Sequence, residues 1–100
     1  MERQTEIINN IIESFEYLLD NGTIIKNNKC SYDYHYFDIT KNKKITGNNG
    51  FNKIVKELNK YVDKNDIALL KNENYDDWAS LFPDHMQRFI ISYMLTLSYM

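Results

Sequence analysis

Three absences narrow the kinds of protein that this sequence can encode. Cys30 is the only cysteine, so no internal disulfide can form and the fold does not depend on an oxidising compartment. The longest charge-free apolar run, residues 89–100, is shorter than the 20 or so residues that a membrane-spanning helix needs. The N-terminal MERQTEIINN lacks the basic start and apolar stretch of a signal peptide. We therefore expect a cytoplasmic protein without a membrane segment.

Residues that would carry catalytic or metal chemistry are also scarce. Cys30 and His35 are five apart in a predicted strand and therefore face opposite ways, while His85 is remote, so no set of metal ligands is expected. The same spacing argues against a Cys–His nucleophilic pair. The loop from Gly47 to Gly50 lacks the lysine of a phosphate-binding loop. We expect a non-enzymatic protein with no catalytic residue, no metal and no cofactor.

What is present suits one small soluble domain. The chain has 100 residues, of which 43% are hydrophobic and 26% are charged, and its formal net charge is -2. A chain of this length normally folds as one domain with a modest core, so a single domain over residues 1–100 is predicted. The nearly balanced charge excludes a uniformly basic coat for nucleic acid and an acidic tail.

Hydrophobic periodicity predicts helices at both ends and in the middle of the chain. The first begins after Thr5 as N-cap and stops at Asn21-Gly22. The second spans Phe51 to Lys64, and the last begins at Pro83. The segment from Asp66 to Leu70 fits either a short helix or an edge strand.

Between the first two helices the pattern predicts three short strands. They cover residues 23–26, 30–40 and 44–46, and the segment 47–50, GNNG, is predicted to be a loop. The predicted fold class is therefore α+β: helix, three-stranded antiparallel meander, helix, then a C-terminal helical segment packed on one sheet face.

In the segment CSYDYHYFDI, tyrosine occupies every second position of the second strand. Residues two apart share a face, so Tyr32, Tyr34 and Tyr36 form one face, called here the tyrosine row, and Phe37 and Ile39 lie on the other. Two arrangements fit. Either the tyrosines pack against the helices and their hydroxyls reach water, or the helices cover the opposite face and the tyrosine row is an exposed contact surface.

Charges of opposite sign are concentrated on different helices. On the second predicted helix, a narrow arc opposite the apolar face holds a lysine stripe of Lys53, Lys56, Lys60 and Lys64. The first helix carries a corresponding acidic stripe of Glu6, Glu13, Glu16 and Asp20. Any amphipathic helix needs a solvated face, but like charges three and four residues apart repel mildly. A partner of opposite charge is one explanation for each stripe.

The order helix–strand–strand–strand–helix resembles that of double-stranded RNA-binding domains. The segment TGNNGFNKIVKELNKYV, residues 46–62, is similar to the glycine-containing loop and basic second helix of that family. The resemblance implies RNA contacts from the second helix. The paired lysines at the start of the family's second helix are absent here, where Lys53 and Lys56 are nearest, and the acidic first helix differs from one that contacts RNA.

The leading hypothesis is a non-enzymatic protein-binding module. Its small size, unusual composition and lack of catalytic motifs are similar to those of phage-encoded inhibitors such as anti-CRISPR proteins, which implies an inhibitor or immunity-type factor from a phage or mobile element. The protein partner would be bound by the tyrosine row with the lysine stripe, or by the acidic stripe, and a homodimer is a further expected assembly. The alternative is a nucleic-acid-binding domain in which the lysine stripe contacts phosphates, assisted by Lys41, Lys43 and Lys44.

Overall fold

The α+β fold is confirmed in the computed structural model, which describes residues 2–73 and 75–97, without the side chains of residues 2, 30–32, 75, 76 and 97. The elements follow in the order α1 (Glu2–Asp20), β1 (Ile24–Asn27), β2 (Cys30–Asp38), β3 (Lys43–Ile45), α2 (Gly47–Leu58), α3 (Lys64–Lys71), α4 (Tyr75–Ala79) and α5 (Asp84–Leu97). The ambiguous segment at 66–70 is helical, within α3.

The three strands form an antiparallel sheet with β2 in the centre. Ile24 of β1 lies opposite Tyr36, and Ile45 of β3 lies opposite the same tyrosine from the other side. The chain reverses between β2 and β3 through Asn42, whose φ of 50° is in the left-handed region that asparagine tolerates. These pairings place Ile24, Tyr36 and Ile45 on one face, and that face carries the helices.

The core lies between this sheet face and the helices. Tyr34 of β2 is buried against α1 and α5, and its ring meets Phe15 and Phe89 edge-on at centroid distances of 5.0 and 6.2 Å. Each such ring taken out of water contributes about 1.5–3 kcal/mol. All helices supply fully or nearly fully buried side chains, including Ile11, Leu18, Ile54, Leu58, Leu70, Trp78, Ile90 and Tyr93.

The prediction that one helix spans residues 51–64 is wrong at both ends. The helix ends at Leu58, because the N–H groups of Lys60 and Tyr61 bond to carbonyls only three residues back and tighten the chain into a turn. Asp63 then starts α3, accepting a hydrogen bond from the Asn65 N–H at 2.8 Å. Val62 is buried although it lies in the turn, which is why the apolar spacing suggested a continuous helix.

The segment 47–50, predicted to be a loop, is the first turn of α2. Gly47 has a φ of +64°, which a side chain would strain. Gly50 is needed for another reason: a Cβ there would overlap the Ile45 carbonyl oxygen and lie 2.9 Å from the carbonyl carbon. The missing side chain lets α2 pack directly on β3, and this contact forms the site described next.

Candidate lysine groove

A groove of about 810 Å³ lies between β3 and the outer side of α2. Its polar lining consists of four lysines, three asparagines and two threonines: Lys43, Lys44, Lys53, Lys56, Asn49, Asn52, Asn59, Thr46 and Thr96. Ile45 and Val55 supply the apolar part. Among the residues that the structure describes, no carboxylate belongs to the lining. We call this feature the lysine groove.

Two elements position the four lysines. Lys53 and Lys56 are one turn apart on α2 and therefore lie on the same side of the helix. Lys43 and Lys44 are consecutive in the edge strand β3, so their side chains point to opposite faces of the sheet. The groove consequently wraps around the edge of the sheet, and the contact at Gly50 holds its two walls together.

The lysines of the groove are not neutralised by neighbouring acids. Among the described residues, no carboxylate oxygen lies within 4 Å of any of the four ammonium groups. Lys53 instead has its Nζ 5.9 Å from the centroid of the Tyr36 ring, at the limit of a cation–π contact. Like charges gathered without counter-charges repel one another mildly, so an anion in the groove would relieve that repulsion.

The predicted lysine stripe is therefore divided by the structure. Lys53 and Lys56 lie on α2 and line the groove. Lys60 lies in the turn after α2 and pairs with Glu57 at 3.2 Å, and Lys64 is the first residue of α3. The prediction of a single stripe of four lysines on one helix was wrong, because α2 ends at Leu58, before Lys60.

Tyr34 and Tyr36 of the tyrosine row lie on the face of the sheet that the helices cover. Tyr34 is 5% exposed, and its hydroxyl donates to the His85 carbonyl oxygen at 2.9 Å. Burial, with a smaller contribution from Glu16, raises the pKa of its hydroxyl. Tyr36 is half-buried against the core, and burial is likewise the main cause of its raised pKa. The ring of Tyr34 cannot belong to an exposed contact surface, and the side chain of Tyr32 lies outside the described residues.

The acidic stripe is present on α1, with Glu6, Glu13 and Asp20 exposed. Two of its four members pair within the molecule. Glu6 bonds to Arg3 at 3.3 Å, and Glu16 lies 3.4 Å from the His85 Nε2. The structure thus places Glu6, Glu13, Glu16 and Asp20 on one helix but outside the lysine groove.

Sequence reasoning missed an exposed aromatic pair beside the acidic stripe. The rings of Tyr17 and Tyr61 meet edge-on at 5.7 Å, and they are 53% and 46% exposed. Asn10 of α1 donates to the Tyr61 carbonyl oxygen at 3.2 Å and fixes the turn there. The position of Tyr17 next to Glu16 on the polar side of α1 was a readable signal, but Tyr61 lies inside the segment predicted to be one continuous helix.

Nothing in the described part of the chain groups three or more His, Cys, Asp or Glu side chains in a manner that would hold a metal ion. No helix within residues 2–73 and 75–97 is long and apolar enough to cross a bilayer. Comparison with known proteins found no matching family model, no matching curated protein and no matching solved structure. The similarity to double-stranded RNA-binding domains is therefore one of element order.

Proposed function

We propose that this chain is a non-enzymatic nucleic-acid-binding module that holds phosphates in the lysine groove. The single observation that carries the proposal is the convergence of four lysines, from β3 and α2, on one groove where no carboxylate of the described residues lies within ion-pair distance. Ammonium groups arranged in this way bind the regularly spaced charges of a phosphate backbone and release its counterions. The amides of Asn49, Asn52 and Asn59 add donors of the kind that contact phosphate and sugar oxygens.

The structure also changes which residues carry the proposal. Lys60 has a carboxylate partner and Lys64 does not line the groove, whereas Lys43 and Lys44 do. A sequence-based nucleic-acid surface would have treated Lys56 and Lys64 alike. In the folded protein they differ in position while sharing charge and exposure, and this makes them a matched pair for a test.

The test compares Lys56→Glu with Lys64→Glu, using fluorescence anisotropy of a labelled oligonucleotide of about 16 nucleotides at about 50 mM salt. Lys56→Glu is expected to weaken binding by tenfold or more, since it removes one positive charge from the groove and adds a negative one. Lys64→Glu makes the same change outside the groove and is expected to alter affinity by no more than about twofold. Equal losses in both variants, or no binding by the wild type, would contradict the proposal.

A protein partner is the second candidate, and a separate observation favours it. The exposed Tyr17–Tyr61 pair adjoins the acidic stripe on α1, and tyrosines at the centre of a charged surface are typical anchors of protein interfaces. An inhibitor or immunity-type factor of a phage or mobile element would use this surface. Tyr17→Ser would then abolish the complex with the protein partner while Lys56→Glu left it intact, and the reverse result would assign the partner to the groove.

A further inference from the structure

The helices that the structure describes pack on one face of the sheet and leave the second face outside the core. The residues that β1 and β2 contribute to the core, Ile24 and Tyr34, share one face, and Tyr36 packs there as well. Alternation places Phe37 and His35 on the opposite face. Phe37 is not among the hydrophobic side chains that form the core or pack against it, and both Phe37 and His35 are half-buried.

The outer face carries two rings side by side on the central strand. Phe37 lies opposite Lys44 of β3, and His35 lies opposite Ile25 of β1. Two residues apart along β2, the rings are about 7 Å from each other along the strand. Flat rings on the central strand of an open antiparallel sheet form a platform on which unpaired bases stack, and this stacking tolerates any base because every base has a π-face.

Cations border the rings on both sides. A groove of about 520 Å³ is lined by His35 and Lys44, by Lys26 of β1 and by Lys29 from the turn between β1 and β2. None of its described lining residues is a carboxylate. Lys44 lines this groove and the lysine groove alike, so positive charge continues from α2 around the edge strand onto the outer face.

Asp33 lies two residues before His35 on β2, and its carboxylate is hydrogen-bonded within the protein. The two oxygens of the exposed Asp33 carboxylate accept from the Tyr34 N–H at 3.1 Å and from the Asn27 amide at 3.3 Å. Asp33 thereby accepts a hydrogen bond from a backbone N–H in the part of β2 that has no β3 partner, because β3 pairs only with Tyr36 to Asp38.

We propose that the outer face of the sheet binds single-stranded nucleic acid, with bases stacked on Phe37 and His35 and phosphates running over Lys44 into the lysine groove. The inference rests on the proposed function and adds to it the form of nucleic acid. A duplex buries the faces of its bases within its own stack, so only its phosphates can be bound. A single strand can contact both the rings and the lysines.

The first experiment measures the affinity of wild type, Phe37→Leu and Phe37→Tyr for a labelled single strand and for the matching duplex. Phe37→Leu keeps an apolar side chain but loses the ring, and is expected to weaken single-strand binding about five- to tenfold. Phe37→Tyr keeps an aromatic ring and should bind the single strand as tightly as wild type. Duplex binding should be weaker than single-strand binding in the wild type and equal in all three proteins. Circular dichroism establishes that each variant is folded.

The outcomes separate this inference from the proposed function. If Phe37→Leu binds the single strand as tightly as wild type while Lys56→Glu does not, the platform is refuted and the groove remains. Preference of the wild type for duplex would also refute the platform. If no nucleic acid binds at low salt, both proposals fall.

A second measurement uses the wild-type chain, so it does not depend on the folding of a variant. The protein has two histidines, and they lie in different places: His35 on the outer face and His85 beside Glu16 at the start of α5. On addition of the single strand, the imidazole NMR signals of His35 are expected to shift while those of His85 stay in place. A shift of His85 alone, or of neither histidine, would overturn the platform.

Discussion

The two charged sides of this molecule differ in how their charges are balanced. On the acidic side, Arg3 of α1 contacts Glu6 on its own helix and Asp66 of α3, and Glu16 of α1 lies 3.4 Å from the His85 Nε2, a contact that is an ion pair only when His85 is protonated. In the lysine groove, no carboxylate of the described residues lies within 4 Å of an ammonium group. These contacts join α1 to α3 and α5, whereas the lysines of the groove form no ion pair with any residue that the structure describes.

That contrast is a better guide to function than the charges alone. Both stripes satisfy the ordinary need of a helix for a solvated face, and by sequence they are equivalent. In the folded protein, two of the four acidic side chains contact basic or imidazole groups of the same chain. The lysines come from β3 and α2 and together line one concave surface. The following changes test that difference, beginning with the largest expected effect.

A side chain added at Gly50 should cause the largest loss of stability, because it would force α2 away from β3 on the groove side of the molecule. In Gly50→Ala the new methyl group overlaps the Ile45 carbonyl, so α2 must move away from β3. We expect a loss of about 3 kcal/mol or more in the free energy of unfolding, measured with urea. Gly22→Ala is the control: its φ of +83° strains a side chain, but no atom lies within 4 Å of the added Cβ. The control should lose only about 1–2 kcal/mol. Similar losses in both variants would show that the α2–β3 contact is not as close as described.

High pH should weaken the link between α5 and the groove. Tyr93 is buried in α5, and its hydroxyl donates to Asn59 Oδ1 at 2.8 Å, at the end of the groove lining. Burial raises the pKa of Tyr93 from its ordinary 10.0 to about 12. Because the folded state holds the proton more tightly than the unfolded chain, this stabilisation is full below pH 10 and is lost as the pH rises towards 12. The loss should reach at most about 3 kcal/mol, since each pKa unit corresponds to about 1.4 kcal/mol.

The check is urea unfolding of wild type and Tyr93→Phe across that pH range. Phenylalanine does not titrate, so the stability of the variant should fall less steeply than that of wild type. Parallel curves would mean that other groups cause the alkaline loss and that Tyr93 titrates alike in both states.

Loss of one hydrogen bond between the sheet and α5 should have a smaller effect. Tyr34→Phe keeps the buried ring but leaves the His85 carbonyl without the hydroxyl that donates to it. We expect a decrease of about 1 kcal/mol in the free energy of unfolding and no change in nucleic-acid affinity, since the ring lies inside the protein. A loss of binding without a loss of stability would show that Tyr34 does contact a partner.

The smallest effects compare the two charged sides directly. Arg3→Gln removes two surface ion pairs of α1 and should lower stability by up to about 1 kcal/mol. The double change Lys53→Gln, Lys56→Gln breaks no ion pair among the described residues and reduces repulsion, and it removes only the long contact between Lys53 and the Tyr36 ring, so stability should change by less than about 0.5 kcal/mol. Thermal and urea unfolding measure both. A larger loss from the lysine pair than from Arg3 would reverse the distinction drawn between the two sides.

The parts of this fold that could be predicted are those that local pattern determines. The isoleucine spacing of α1 and the alternation in β2 predicted a helix, a strand and the two faces of that strand. The break after Leu58 was missed because Val62 remains buried through the turn and therefore keeps the apolar period. Asp63, which caps α3, was the readable signal of a new helix.

What could not be predicted depends on contacts between distant elements. Tyr34 and Phe37 are both large and apolar, so alternation alone left open which face the helices cover. The groove requires Lys43 and Lys44 of β3 to meet α2, and that packing depends on the Gly50 contact with Ile45. In sequence the same glycine is part of a GNNG segment that is typical of a loop.

The most direct test of the central claim is the salt dependence of nucleic-acid binding. The slope of log affinity against log salt concentration is measured for wild type, for the double variant Lys53→Gln, Lys56→Gln, and for the acidic control Glu13→Gln, Asp20→Asn. If the lysine groove holds phosphates, the lysine variant should have a slope smaller in magnitude by about 1.4 to 1.8, because two phosphates are no longer neutralised. The acidic control should keep the wild-type slope. Equal slopes in all three proteins would contradict the claim that the groove is the binding surface.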